Sequence, residues 1–354
     1  MPDPTTQATN QTTVVRDPIL EVRDLHTHYF TDEGVVKSVD GATFSVPRGK
    51  TVCIVGESGC GKSVTARSIL QLIDKPGRIV GGQILFHPTP DTTIDIAALD
   101  PRGKAIRSIR GKDIAMIFQE PMTSLSPVHT IGDQIVEAAL LHLPISKREA
   151  KDLAIRSLDS VGIPRAKDRF DSYVFELSGG MRQRAMIAMS LICKPKLLIA
   201  DEPTTALDVT TQANILDLIA DLQRETGTTV LFITHDLGVV AEIGDEVIVM
   251  YLGKVAENAD VDGIFYEPKH PYTKALLRSI PKIGASRGKA LEAIAGMVPH
   301  PLNRPPGCPF HNRCEAFMPG TCDVHEPALT TLDDDHHVRC FLYEDVPAAA
   351  EATR

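Results

Sequence analysis

No stretch of this 354-residue sequence stays apolar for the ~20 residues that a bilayer-spanning helix requires. The densest apolar runs, Leu197 to Ala200 and Val247 to Tyr251, have the length of strands, so no membrane span is expected. A basic surplus is missing too. Net charge is −9, whereas a chain that neutralises nucleic-acid phosphates ordinarily carries the opposite sign, and nucleic acid is not expected as a partner. The N-terminal stretch through Ile19 lacks the basic flank and the apolar core of about 7–15 residues of a secretory signal, which predicts a chain that stays in the cytoplasm. No internal repeat is visible, leaving solenoids and propellers unsupported. What is there is ordinary globular usage, 43% apolar and 23% charged, which excludes wholesale disorder, collagen and coiled coil. The length allows two domains, or one large α/β domain with an appendage.

Polar residues and proline in 1–18 predict a disordered tail, with order beginning near Ile19. At Thr51 a short apolar strand, Thr51 to Val55, runs into a glycine-rich turn and then a helical pattern from Lys62 to about Ile73. Further strands are predicted at Ile114–Phe118, Lys196–Ala200, Thr229–Ile233 and Val247–Tyr251. Each is a continuous apolar run, the pattern of parallel strands covered on both faces. Apolar residues at three- and four-residue spacing predict helices over Ile131–His142, Lys147–Val161 and Gly180–Cys193, a helical insert of about 120–193 in an α/β core. A boundary is expected near 258, with a first unit over 19–258, an extension over 259–343 and a tail over 344–354.

Three segments carry chemistry. Gly56-Glu-Ser58-Gly59-Cys-Gly61-Lys62-Ser63 fits a phosphate loop, GxxxxGK[ST], in the strand-to-helix context that it needs. Glycines let backbone N–H groups turn toward phosphate oxygens, Lys62 would reach the β/γ-phosphates, and the Ser63 hydroxyl would ligate Mg²⁺. The second segment is the strand ending in Asp201-Glu202: Asp201 is expected in the Mg²⁺ shell and Glu202 as the base that takes a proton from the attacking water. The third is Leu177-Ser178-Gly179-Gly180-Met181-Arg182-Gln183-Arg184, a serine cap and two glycines opening a helix, a second anion-binding helix start.

Together these segments resemble the nucleotide-binding subunit of an ATP-binding cassette (ABC) transporter, over about Ile19 to Lys254. The resemblance implies a P-loop NTPase fold of the ABC ATPase type, with a helical subdomain and a small cysteine-bearing C-terminal extension. It implies that Tyr29, or its neighbour Phe30, stacks on adenine. Gln119 would sense Mg²⁺ and the attacking water and face the membrane subunits, Asp208 would lie in the loop that couples two ATP sites, and His235 would contact the γ-phosphate. Ser178 and Gly180 would act on ATP held by another chain, because in this family two subunits pack head to tail. Met181 stands where glutamine is usual.

The later part narrows the resemblance. His270-Pro-Tyr-Thr273, Gly296-Met-Val-Pro299, Val161-Gly-Ile-Pro164 and the cysteine tail are similar to the oligopeptide and dipeptide importers, specifically their D-type ATPase subunit. The implied role is ATP hydrolysis that energises peptide uptake, at the cytoplasmic face of the membrane. The implied partners are two transmembrane permeases, a second and different ATPase subunit, and a solute-binding protein. Nickel, glutathione or oligosaccharide uptake is an alternative, and a soluble ABC ATPase acting on DNA or in translation is a more distant one.

Cys308, Cys314, Cys322 and Cys340 are four of seven cysteines, spaced C-x5-C-x7-C-x17-C. Disulfides are disfavoured in a cytoplasmic chain, and the short knuckles of zinc ribbons are missing. Four cysteines suit a [4Fe–4S] cluster or zinc, with free thiols the third option. The resemblance to the peptide importers implies the iron–sulfur cluster, in the role of a structural staple.

Overall fold

In the computed structural model the described residues are 17–119, 124–205, 207–280, 294–332 and 335–344. In chain order the elements are β1 (Pro18–Thr31), β2 (Gly34–Pro47), β3 (Thr51–Val55), α1 (Lys62–Ile69), β4 (Gly77–Thr89), β5 (Thr92–Asp95), α2 (Lys104–Ile109) and β6 (Ile114–Ile117). Four helices follow, α3 (Ile131–His142), α4 (Lys147–Ser160), α5 (Ala166–Arg169) and α6 (Gly179–Leu191). Then come β7 (Leu197–Asp201), α7 (Val209–Thr226), β8 (Thr229–Ile233), α8 (Leu237–Ile243), β9 (Glu246–Tyr251), β10 (Lys254–Asp260), α9 (Val261–Tyr266), α10 (Pro271–Arg278), β11 (Thr330–Thr331) and β12 (His337–Val338).

Two sheets organise these elements. The larger runs β11-β12-β10-β9-β3-β8-β7-β6. Its members from β9 to β6 are mutually parallel, and β10, β12 and β11 are added antiparallel. Side chains alternate between faces along a strand, and here each face has its own core. Val52, Ile54, Ile199, Leu231 and Ile248 point into one cluster with α1 and the smaller sheet, while Cys53, Val55, Ala200, Phe232 and Val249 point into the other with α3, α4, α6 and α7. The inner positions of these strands are therefore apolar, with polar residues such as Thr51, Asp201, Thr229 and Glu246 at their ends. The smaller sheet, β2-β1-β4-β5, is antiparallel throughout and was not foreseen from sequence.

Local signals set the helix starts. Thr130 caps α3 by accepting from the Asp133 N–H at 3.1 Å, and Ser146 with Glu149 forms a reciprocal capping box on α4. Helices α3, α4 and α6 pack on one another, and Ser190 of α6 donates to the Met116 carbonyl of β6 at 3.1 Å. Helix α1 ends at Ile69, short of the expected Ile73, because Gln71 turns left-handed at φ 50° and the Leu72 N–H reaches back to the Arg67 carbonyl at 2.8 Å. Pro18 already belongs to β1 and Asp17 accepts from Arg48 Nε at 2.9 Å, so these two are ordered where a tail was expected; 1–16 lie outside the described residues.

Candidate functional site

The C-terminal ends of β3, β6, β7 and β8 lie side by side, and the segments that leave them carry most of the expected site residues. Parallel α/β sheets place their ligand sites at such ends. The glycine-rich turn between β3 and α1 is forced by close backbone approach. A Cβ on Gly56, at φ +145°, would lie 2.3 Å from the Met250 carbonyl oxygen, and one on Gly61, at φ +100°, would lie 2.3 Å from that of Ser38. Gly59 and Ser58 form the exposed crest, where a Cβ on Gly59 would meet nothing within 4 Å. Lys62 is buried under this curl, its Nζ donating to the carbonyls of Gly56 at 2.8 Å and Glu57 at 3.2 Å. A curled backbone with a buried ammonium inside it fits a phosphate chain.

Ser63 follows at the start of α1, and its hydroxyl donates to Asp201 Oδ1 at 2.8 Å. Asp201 is 1% exposed at the end of β7; burial pushes its carboxyl above the usual range, and the Ser63 bond, Arg67 and Lys62 pull it back. A hydroxyl and a carboxylate are the hard oxygen donors that Mg²⁺ takes, so the residues present fit that ion.

Glu202 sits beyond Asp201 in a left-handed conformation at φ 47°, with its N–H donating to the Ile233 carbonyl at 2.9 Å. Such a backbone costs about 1–3 kcal/mol in a residue other than glycine, so it persists only where neighbours impose it. Its carboxylate is a hub. Oε2 accepts from Gln119 Nε2 at 3.2 Å and from the Thr205 hydroxyl at 3.0 Å, and Oε1 is 3.4 Å from His235 Nδ1. Four strand ends thus bring Lys62, Ser63, Gln119, Asp201, Glu202 and His235 into linked positions.

The other expected residues lie apart from this group. Tyr29 is half-buried on β1 with its ring against Gly77, and burial pushes its phenol up; Phe30, on the opposite face, is exposed under the Arg78 guanidinium, 4.3 Å from its ring centroid. Ser178 caps α6 by accepting from the Met181 N–H at 3.4 Å and is exposed with Gly179. Asp208 caps α7, accepting from the Thr211 N–H at 3.0 Å and hydroxyl at 2.7 Å, bonds that hold its carboxyl below the usual range. Gly180 abuts Thr211, where a Cβ would lie 2.9 Å from the threonine methyl. Among the described residues no hydrogen bond joins Ser178, Gly180 or Asp208 to the Lys62 and Glu202 group. Residues 120–123, which follow Gln119, and Ala206, two residues before Asp208, lie outside the described residues.

Sequence reasoning assigned no role to four residues that shape the site. Thr205 braces Glu202, buried Gln183 donates to the Pro203 carbonyl and ties α6 to the loop after β7, and Tyr272 and Arg313 contact the phosphate loop. Gln183 and Tyr272 fall inside segments singled out in advance, Leu177 to Arg184 and His270 to Thr273.

A family model described as ABC transporter matches residues 39–205, and one described as oligopeptide/dipeptide transporter, C-terminal region, matches 256–322. Over 328 residues the chain is 49% identical to the oligopeptide transport ATP-binding protein AppD of Bacillus subtilis, an alignment covering 92% of this chain and 97% of AppD. It is 48% identical over 329 residues to the dipeptide transport ATP-binding protein DppD of the same organism, covering 93% and 96%. Among solved structures it is similar to a dimeric ATP-binding cassette in a post-hydrolysis state bound to ADP and Pi, with TM-score 0.61 and 25% identity over 68% of this chain and 98% of that one. Among the described residues no helix is long and apolar enough to cross a membrane.

The iron–sulfur expectation at Cys308, Cys314, Cys322 and Cys340 is corrected. Nothing in these likenesses points to a cluster, the cassette fold has none, and the four cysteines show no cluster-like arrangement. Nor do their sulfurs form a set within 4.8 Å of one another, whereas four thiolates about 2.3 Å from one zinc would. Cys308 and Cys322 are buried in one core, and Cys314 is partly buried against it. Burial, with the neighbouring cysteines adding to it, pushes the Cys308 thiol up to about 12 and the Cys340 thiol to about 11. Among the described residues, the side chains that do gather at ligand distance are His26, His28 and Asp40, and there Arg304 already occupies the second Asp40 oxygen at 2.7 Å.

Proposed function

The chain belongs to the ATP-binding proteins of peptide ABC transporters, and on that footing we propose how its residues divide the work of hydrolysing ATP to energise dipeptide or oligopeptide import. Membership carries ATPase activity, membrane permeases as partners and pairing with a second ATPase subunit. The observation that supports the division best is the Glu202 carboxylate, held by Gln119 and Thr205 and facing His235 beside the Ser63–Asp201 pair.

Binding falls to the phosphate loop, Gly56 to Ser63, whose N–H groups and Lys62 cradle the phosphates, with Tyr29 on the adenine. Ser63 and Asp201 would hold Mg²⁺, assisted by Gln119; when bound, that ion offsets charge on the β- and γ-phosphates. Glu202 accepts the proton of the attacking water, and its hydrogen bonds keep one oxygen directed at that task. His235 and Gln119 orient the γ-phosphate and the water. Ser178 and Asp208 stand exposed at helix starts with Gly180 partly exposed beside Thr211, suited to ATP held by a partner chain rather than by this one. The helices between 120 and 193 form the subdomain that would meet the permeases, and 259–343 the extension. The second ATPase is a different chain, a solute-binding protein delivers the peptide, and the subunit works at the cytoplasmic face of the membrane.

Phosphate release measured on the full chain assembled with its permeases in peptide-loaded vesicles tests this reading. Mg²⁺-dependent turnover stimulated by peptide is the expected result. ATP binding without phosphate release would overturn it.

A further inference from the structure

Glu57 occupies a variable position of the phosphate loop, yet all three of its polar groups are engaged. Its N–H donates to the Tyr272 hydroxyl at 2.9 Å, its carbonyl accepts from Lys62 at 3.2 Å, and its carboxylate accepts from Arg313 Nη1 at 2.7 Å and Nη2 at 3.0 Å. Two of these partners come from the region after 258, which in sequence is 215 and 256 residues away. Both are themselves fixed. Tyr272 is fully buried, with its ring centroid 4.6 Å from that of Tyr251 and 5.2 Å from that of Phe310. The Arg313 side chain is 4% exposed, and its Nε donates to the Ala295 carbonyl at 2.9 Å.

A bidentate arginine–carboxylate pair is a strong and directional contact. The charge matters as much as the geometry, since an uncompensated carboxylate in a phosphate loop would repel the triphosphate that the loop must receive. Arg313 removes that repulsion and holds the loop's first turn, while the Tyr272 hydroxyl takes an N–H that the turn leaves free.

We infer that Tyr272 and Arg313 are positioning residues for ATP: through Glu57, the C-terminal extension holds the phosphate loop in its receptive curl and neutralises its carboxylate. The inference rests on the ATPase reading above and adds to it a direct coupling between the extension and the nucleotide. Because the contacts do not reach Glu202, they act on binding and not on the chemical step.

The test is steady-state ATP hydrolysis and calorimetric ATP binding by the full chain in its permease complex. Arg313→Gln is expected to raise KM and Kd for ATP about tenfold, and Tyr272→Phe about fivefold, with kcat within about twofold. In a Glu57→Gln background the Arg313→Gln effect should shrink to less than about twofold, because the charge it cancels has gone. Arg278→Gln, which breaks the nearby Arg278–Glu315 pair without removing any contact to Glu57, should change neither constant. Tyr272→Phe deletes one oxygen and keeps the ring, so it carries the test even if Arg313→Gln does not fold. ATP affinity unchanged in Tyr272→Phe, or an Arg313→Gln effect of equal size without Glu57, would overturn the inference. Absence of hydrolysis in the parent complex would instead overturn the ATPase reading, and the binding measurement would still decide the coupling.

Discussion

The Ser63 hydroxyl donates to Asp201 at 2.8 Å, joining the first turn of α1 to the end of β7 across 138 residues of sequence. That contact closes the site between two parallel strands separated by β8, and it leaves hydroxyl and carboxylate oxygens facing the same space. Asp201→Asn keeps the shape and removes the negative charge. The Mg²⁺ concentration for half-maximal ATP turnover should rise about tenfold or more, while ATP binding in EDTA stays at the parent level. A magnesium titration that superimposes on the parent's would remove Asp201 from the metal's shell.

Glu202→Gln preserves the backbone bond to Ile233 and the side-chain volume but removes the proton acceptor. Phosphate release should fall about 10²–10⁴-fold with ATP binding retained. Measured by single-turnover phosphate release, a rate within a few-fold of the parent would reject Glu202 as the base.

Two glycines of the loop should respond differently to the same methyl group. In Gly61→Ala the new Cβ meets the Ser38 carbonyl at 2.3 Å, and neither backbone segment can move aside cheaply. ATP binding should be lost and stability should drop by about 1–3 kcal/mol. Gly59→Ala enters open space at φ +79°, so only the left-handed backbone opposes it, at about 1 kcal/mol, and binding should persist. Equal loss of nucleotide affinity in both variants would show that crowding is not what selects glycine at Gly61.

His270 is fully enclosed, and burial holds its imidazole down to about 4 against an ordinary value of 6.5, with Glu257 opposing the shift and Lys274 adding to it. The native state therefore stays unprotonated where the unfolded chain takes up a proton. Stability should be full above pH 6.5, fall as the pH drops from 6.5 toward 4, and level off for this group below that, a loss of about 3 kcal/mol. Glu257 acts in the same direction at lower pH, since its carboxyl is held below its ordinary value by bonds to His336, Lys269 and His270. His270→Asn, which can still cap α10, should flatten the slope between pH 6.5 and 4 in urea unfolding. An unaltered slope would assign the acid sensitivity to other groups.

The strands that carry the site were legible because burial on both faces keeps their inner positions apolar, so β3, β6, β7, β8 and β9 read as apolar runs. The cluster around Glu202 was legible for a related reason, since each member leaves one of those strands. The smaller sheet was not, because β1 carries register shifts between Val22 and Leu25 and again before His28 that break the alternation a reader would look for. The stop of α1 was hidden by the choice of Gln71, not glycine, for the left-handed position. Cysteine spacing misled because four thiols in a short window look alike on paper whether they bind metal or fill a core. The grip of Tyr272 and Arg313 on Glu57 has no local pattern at all, as it depends on chain returning from more than two hundred positions away.

Strand β10 has β9 on one side and, on the other, His337 and Val338 of β12, whose neighbour His336 bonds the buried Glu257 at 2.6 Å across 79 residues. During synthesis β10 leaves the ribosome long before that partner exists. Until His336 to Val338 have been made, the nascent sheet has an unpaired border and a carboxylate awaiting its histidine. Completion of the sheet is thereby tied to synthesis of β12, and a chain cut short before β12 would expose an edge open to pairing with strands of other molecules.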